Sequence, residues 1–298
     1  MKKLDTNALQ MFAAVALSLN FRQAAEQLHM SQPPLSRAVK LLEQRLGVKL
    51  FERDTQRVAL TAAGEKLLPK AQRILALLEE AELSVAGTQA PARLRLGLTT
   101  SVETGMFSSF TAALQAALDG MTLELSFAPS PRLVAGLRAG RLDAAVIALP
   151  TTTHELHVQA LLQQPMIAAL QSRHPLARRR RLALSDLETE SVYWFERARQ
   201  PAFFDHCHAV FDRHGFAPHF VREPQDHHVL LGDVAAGRGI ALLPQSFTSL
   251  KMSGVAYRAL REGGELSVGL GLAMRDGSQV SATLLAELAH KFLQAEVS

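Results

Sequence analysis

The run MSQPPLSRAVKLLEQRLG, Met30 to Gly47, constrains this 298-residue chain more than any other. It joins two adjacent prolines to a helical hydrophobic period. Proline has no N–H and its ring clashes with the preceding turn, so Pro33 and Pro34 fit a helix only in its first turn, where the amides lack intrahelical acceptors. The spacing predicts Ser31 as N-cap, its hydroxyl accepting from a free amide, with Gln32 held extended by the proline that follows. Leu35, Val39, Leu42 and Leu46 recur at steps of four, three and four and form one apolar face. Gln32, Ser36, Arg37 and Lys40 lie largely off it.

Just upstream, FRQAAEQL (Phe21–Leu28) reads as a short helix with Ala24, Ala25 and Leu28 inward, and HMS as a tight connection. Short helix, brief turn, longer helix is the helix-turn-helix pattern, whose second helix enters the major groove of DNA. KLFERDTQRVAL then reads as a two-stranded wing, with its turn at Asp54–Gln56 and Arg53 and Arg57 flanking it. Residues 1–73 hold 12 Lys/Arg against 6 Asp/Glu, a net +6, whereas the whole chain is +4. The basic excess therefore lies in the N-terminal quarter, where a polyanionic partner is expected. Arg37 suits a guanine edge and Gln32 an adenine. Ser36, Lys40, Arg53 and Arg57 suit phosphates.

Lys2 and Lys3 before MFAAVALSL resemble the start of an export signal. Asp5, Asn7 and Gln10 interrupt the apolar run, while Leu9, Phe12, Val15, Ala16 and Leu19 share a helical face, so an amphipathic first helix is expected instead. With 48% hydrophobic and 20% charged residues the chain can bury a sizeable core. The single cysteine, Cys207, allows no intrachain disulfide and fits a reducing cytoplasm. Apolar runs are broken by Arg, Gly or Asp, so no membrane span is expected.

AAEQLHMSQPPLSRAVKLLEQRLGVKLFERD followed by LTAAGEKLL resembles the N-terminal signature of LysR-type transcriptional regulators, and the likeness continues more weakly along the whole chain. It is nearest to the regulators of aromatic-compound catabolism that respond to benzoate or muconate. The resemblance implies a winged helix-turn-helix (1–60), a linker helix for dimerisation (61–90) and a two-lobed α/β effector domain like periplasmic binding proteins (91–298). Lobe I would take about 91–164 and 268–298, and lobe II about 165–267. It further implies a tetramer built as a dimer of dimers, cytoplasmic, bound to interrupted palindromes near promoters in double-stranded DNA. RNA polymerase is then a candidate partner, and no cofactor is needed.

In the linker, Thr61 can cap a helix running to about Gly87. Leu67, Ala71, Ile74, Leu78, Ala81 and Val85 form a heptad seam, which needs a partner helix. Pro69 should kink that helix or mark a late start. GTQAPAR (87–93) reads as a hinge.

From Arg93 short strands alternate with helices: LRLGL, a helix with Phe107, Phe110, Leu114 and Ala117, TLELSF, PRLVAGLRAG and DAAVIAL. A second set follows from Pro165: MIAAL, SVYWF, a helix at 203–213, HFVRE, a helix ending at AAGRG, and IALLP. This order predicts parallel sheets wrapped by helices, with SVGLGLAMR and the C-terminal helix returning to the first lobe. Small ligands in such folds bind beyond the carboxyl ends of strands. Thr99, Thr100 and Ser101 follow the first strand and are expected to open a helix; Ser130 follows the second, with Pro131 at a helix start. A small anion between Ser101 and Ser130 is the expectation, though both serines would equally serve as caps. The resemblance adds Phe203 and Pro244 as pocket residues. The pair His227 and His228 departs from the benzoate-responsive relatives; a His facing the cleft could hold a carboxylate, and at least one is expected in solvent.

Two rivals are a helix-turn-helix fused to a catalyst and one fused to a metal sensor. The sequence has no Walker loop, no G-x-S-x-G and no G-x-G-x-x-G. His206, Cys207 and His208 are adjacent, but alternate helical residues point apart and no metal-ligand spacing is present. ARRRR (Ala177–Arg181) reads as a solvated loop.

Overall fold

A computed structural model describes residues 5–54, 57–85, 93–154, 156–274 and 281–295. The chain divides into two compact units, Met1–Ala92 with Ala135–Leu142, and Arg93–Val134 with Asp143–Ser298.

In the first unit, α1 (Thr6–Ser18), α2 (Phe21–Gln27) and α3 (Gln32–Leu46) precede a hairpin of β1 (Phe51–Asp54) and β2 (Arg57–Leu60) and the long helix α4 (Ala62–Val85). Asp5 caps α1, accepting from Asn7 N, and Asn20 caps α2, accepting from Arg22 N and Gln23 N. Leu9, Phe12, Val15 and Ala16 are buried as expected, but Leu19 is not: it is the left-handed C-cap of α1 and is exposed. Phe51 packs its ring on Phe12 at 5.5 Å and on Phe21 at 5.7 Å, which locks the hairpin to the helices.

α3 differs from expectation at its first turn. The helix already includes Gln32, and Ser31 is the extended N-cap but makes no side-chain cap bond. The two prolines remove the amides that a cap would serve, so the Ser31 hydroxyl has little to satisfy. At the other end Gly47 takes φ +71°, where a side chain would be strained. Thr61 caps α4 as predicted, accepting from Gly64 N at 3.1 Å while donating to Lys49 O at 2.7 Å. α4 runs through Pro69 without ending, and nothing in the structure explains the proline. Ala71 is fully buried, whereas Ile74, Leu77 and Leu78 are exposed. The hinge at 87–92, Lys2 and Lys3 lie outside the described residues, as do the side chains of Arg53, Arg57 and Val85.

From Arg93 onward the elements are, in order, β3 (Arg93–Thr99), α5 (Ser108–Ala117), β4 (Thr122–Ala128), α6 (Ser130–Arg138), β5 (Ala144–Leu149), β6 (Val158–Gln164), β7 (Met166–Gln171), β8 (Arg181–Leu182), β9 (Ser191–Trp194), α7 (Pro201–Arg213), β10 (His219–Arg222), α8 (His227–Ala235), β11 (Ile240–Pro244), β12 (Val255–Leu260), β13 (Val268–Met274) and α9 (Ala282–Ala295); all belong to the second unit except the end of α6 from Ala135. One sheet has order β4-β3-β5-β13-β6, the other β10-β9-β11-β7-β12-β8. β3 pairs in parallel with β4 and β5, while β13 returns antiparallel between β5 and β6. β9 pairs in parallel with β10 and β11. The chain passes between the sheets twice, at Pro165 and between β12 and β13. β6, β8 and β12 are additions to the strands read from the sequence, and β8 begins at Arg181, within the run expected as a loop. The helix expected at Thr99–Ser101 begins later, as a 3-10 turn (Thr104–Phe107) capped by Glu103.

Candidate functional site

The exposed side of α3 is the first candidate. Leu35, Val39 and Leu42 are buried, each contributing about 1.5–3 kcal/mol of burial free energy. That fixes the helix's rotation. Gln32, Pro33, Arg37 and Lys40 are exposed and Ser36 is half-buried. Glu43 sits on the buried side, its carboxylate accepting from Leu50 N at 2.9 Å and Phe51 N at 3.2 Å. This ties α3 to the hairpin, a link that the sequence pattern does not show.

The second candidate is a small cavity of about 40 Å³ lined by Thr100, Ser101, Met166, Phe195, Arg199, Gln200, Phe203, Glu223, His227, Leu242, Leu243, Pro244 and Phe247. Much of its lining converges from strand ends. Thr100 and Ser101 follow β3, Phe195 follows β9, Glu223 follows β10 and Pro244 ends β11. All are carboxyl ends of parallel strands, where a twisted sheet leaves a crevice. Arg199, Gln200 and Phe203 stand at the start of α7, and His227 opens α8.

Thr100, Ser101, Phe203, His227 and Pro244 thus line one cavity. Ser130 does not join them. It is fully buried, its Oγ accepting from Ala148 N at 2.8 Å and lying 2.9 Å from Thr99 Oγ1. Thr99 Oγ1 in turn donates to Ser101 Oγ at 3.2 Å. With one hydrogen per hydroxyl, the donors run in a single direction: Ala148 N–H to Ser130, Ser130 to Thr99, Thr99 to Ser101. That leaves the Ser101 hydrogen uncommitted within this chain of hydroxyls, and Ser101 lines the cavity. Chained hydrogen bonds polarise one another, so Ser101 presents a strengthened donor.

Opposite in character is the trio Arg199, Glu223 and His227. The Glu223 carboxylate is 7% exposed and takes Arg199 at 3.4 Å and His227 Nε2 at 3.4 Å, both on Oε1. The His227 ring stands edge-on to Phe247, 4.6 Å away. His228 is exposed, its amide held by Asp226. Arg199, Gln200 and Glu223 escape a reading of the sequence because only tertiary packing brings them together. The Glu223/His227 spacing of four is a usable signal, but Glu223 precedes the helix.

Among the described residues no group of three His, Cys, Asp or Glu is placed to hold a metal. His206 lies against Glu265 O, and His208 stacks on Phe204 at 4.1 Å. Cys207 is fully buried between them, and burial pushes its thiol up. It therefore supplies no thiolate at neutral pH. No described helix is long and apolar enough to cross a membrane. In ARRRR, Arg179 pairs with Asp186, and Arg181 donates to Leu260 O and Arg261 O.

The profile of the bacterial regulatory helix-turn-helix proteins of the lysR family matches residues 6–65, and that of the LysR substrate binding domain matches 87–296. The transcriptional regulator TfdS of Cupriavidus pinatubonensis is 33% identical over 253 residues, 83% of this chain and 85% of that one. A probable hydrogen peroxide-inducible genes activator of Mycobacterium avium is 34% identical over 250 residues, 82% of this chain and 79% of that one. The crystal structure of full-length BenM superposes with a TM-score of 0.59 at 26% identity, covering 98% of this chain and 98% of that one. The family consists of transcriptional regulators, not enzymes. With a helix-turn-helix at one end and the family's substrate binding domain over the rest, the chain belongs to the LysR family of DNA-binding transcriptional regulators.

Proposed function

We propose that this regulator reads an interrupted palindrome through α3 and is controlled by a small carboxylate held in the cavity of its effector domain. Residues 1–60 would read DNA, 61–90 would pair two chains, and 91–298 would sense the ligand. Arg37 and Gln32 are assigned to base edges, Ser31, Pro33, Ser36 and Lys40 to the groove wall and phosphates, and Arg53 and Arg57 to phosphates from the wing. Thr100, Ser101, Phe203, His227 and Pro244 are assigned to the ligand, with Ser130 acting through Thr99.

The observation that carries the effector reading is the directed hydroxyl chain that ends at Ser101. A donor polarised through three links calls for a charged acceptor, and a carboxylate supplies one. Arg199 touches Glu223 through one nitrogen at 3.4 Å, so its fork keeps further donors for the same anion. The aromatic and aliphatic walls from Phe195, Phe203, Leu242 and Phe247 suit an apolar body.

The cavity walls are drawn from both sheets. Gln200 Nε2 reaches Thr151 Oγ1, and Glu103 N reaches Ser246 Oγ, across the two sheets. A ligand that separates those walls favours one lobe arrangement over another, the differential affinity that any gating requires.

The exposed Ile74, Leu77 and Leu78 on α4 and the exposed Leu125 and Phe127 on edge strand β4 support two kinds of self-contact and hence a dimer of dimers. A cytoplasmic protein bound beside promoters would have RNA polymerase within reach.

The test is a thermal-shift screen of small aromatic and aliphatic carboxylates on wild type and Ser101→Ala. A ligand at about 100 times its dissociation constant adds about 2.7 kcal/mol of stability. A shift in wild type that Ser101→Ala loses is the expected result; shifts of equal size in both would refute the assignment of Ser101.

A further inference from the structure

Gln200 is 3% exposed and lines the cavity. Its Nε2 lies 2.6 Å from Thr151 Oγ1 and 3.3 Å from Ala148 O. Thr151 Oγ1 gives its own hydrogen to Ala148 O at 2.7 Å. Both neighbours of Nε2 are therefore acceptors, and turning the amide over would set an oxygen against two oxygens. The orientation of the amide is fixed by its surroundings. Ala148 and Thr151, which hold Nε2, are not among the cavity's lining residues, whereas Gln200 is. Its Oε1 is buried and has no hydrogen-bond partner among the described residues.

A buried acceptor left unpaired costs free energy that a suitable donor recovers. We propose that the effector is a carboxylic acid that also carries a hydroxyl or N–H donor, and that Gln200 Oε1 accepts from it. This rests on the carboxylate reading of the cavity given above. The cavity then has two chemically opposite ends. Ser101 presents a hydrogen and selects an acceptor; Gln200 presents a lone pair and selects a donor. The Glu223 carboxylate, also facing the cavity and likewise acceptor-only, reinforces the second end.

A plain acid would leave Oε1 buried and unpaired, and sites built to pair a hydroxyl reject the analogue that lacks it. Gln200 is thus a specificity-determining residue. It also bridges the two sheets, so the same side chain that reads the donor holds a contact between the lobes.

The experiment is calorimetric titration of the full chain with matched probes: benzoate against its hydroxybenzoate isomers, and butyrate against 3-hydroxybutyrate. Fluorobenzoates serve as size-matched controls without a donor. In wild type, the hydroxy acid of at least one pair should bind tighter than its parent by roughly tenfold or more, the value of one recovered buried hydrogen bond. The matching fluoro acid should show no such gain. Gln200→Met should cut the hydroxy preference to below about threefold, mainly by weakening the hydroxy acid. Ser101→Ala should weaken both members alike and leave their ratio unchanged.

Equal binding of parent, fluoro and hydroxy acids in wild type would overturn the inference while leaving the carboxylate reading intact. So would a hydroxy preference that survives Gln200→Met. If that variant does not fold, the fluoro controls in wild type decide alone. If none of these acids binds, the carboxylate reading falls, and this inference with it.

Discussion

Thr99 Oγ1 and Ser130 Oγ, 31 positions apart in sequence, lie 2.9 Å from one another in the buried floor beneath the effector cavity. Ser130 also accepts from Ala148 N, so the first residue of α6 joins β3 and β5 at one point. Removing its hydroxyl leaves the buried Ala148 N–H without its acceptor and costs the Thr99 hydroxyl one of its hydrogen bonds. Ser130→Ala should therefore lower the unfolding free energy by about 1–3 kcal/mol in urea titrations. Ser101→Ala, at the partly exposed end of the same chain, should leave stability nearly unchanged and cost only ligand affinity.

On α3, Arg37 and Lys40 are both exposed but carry different expectations. Arg37→Ala should weaken binding to the operator by about 1–3 kcal/mol and relax discrimination at one base pair. Lys40→Ala should weaken all sequences alike and reduce the salt dependence by about one counterion. Fluorescence anisotropy with operator and random duplexes across a salt series separates the two.

Gly64 marks the join of hairpin and α4. A Cβ built there collides with the carbonyl oxygen of Leu50 and comes within 2.7 Å of Leu60 Cδ2. The obstacle is backbone, so it cannot swing aside. Gly64→Ala should destabilise the N-terminal unit by about 1–3 kcal/mol, the usual cost of overpacking, despite the better helix propensity of Ala. Chemical denaturation followed by far-ultraviolet circular dichroism measures it.

Ile74 and Leu78 stand exposed one turn apart on α4. Replacing both by Glu should split the oligomer without unfolding the monomer, and reduce operator affinity because two half-sites are no longer held together. Sedimentation velocity checks the first effect and anisotropy the second.

Burial holds the His208 imidazole below its usual value of 6.5, against the opposing pull of Asp212 and Asp205. The folded protein therefore binds fewer protons at this site than the unfolded chain does. The site's contribution to stability is complete above 6.5 and is lost as pH falls below 6.5 toward the lowered folded value. His208→Phe, which keeps the stack on Phe204, should show a smaller drop in Tm than wild type between about pH 7.5 and 5.

Local rules account for what was legible in the sequence. Pro33, Pro34 and Gly47 fix the ends of α3 because proline and glycine act through their own backbone. The apolar steps through Leu42 fix its rotation because burial follows the helical period. The strand ends carrying Ser101 and Pro244 were legible for the same reason. What escaped was long-range. Gln200 and Glu223 look like ordinary polar residues until α7 and β10 bring them to one wall. Ser130 was placed at the ligand because it follows a strand, yet the hydroxyl of Thr99 lies between it and Ser101. Leu19 continued the apolar period of α1 but fell on the turn that ends it. β6, with Gln159, Gln163 and Gln164 among its residues, lacks the continuous apolar run of its neighbours.

The central claim is that an acid in the effector cavity changes how α3 meets DNA. The direct measurement is a footprint on operator DNA, with and without an acid shown by thermal shift to saturate the protein, for wild type and Ser101→Ala. The account predicts a changed footprint in wild type and an unchanged one in Ser101→Ala. A wild-type footprint that stays the same at saturation would contradict it.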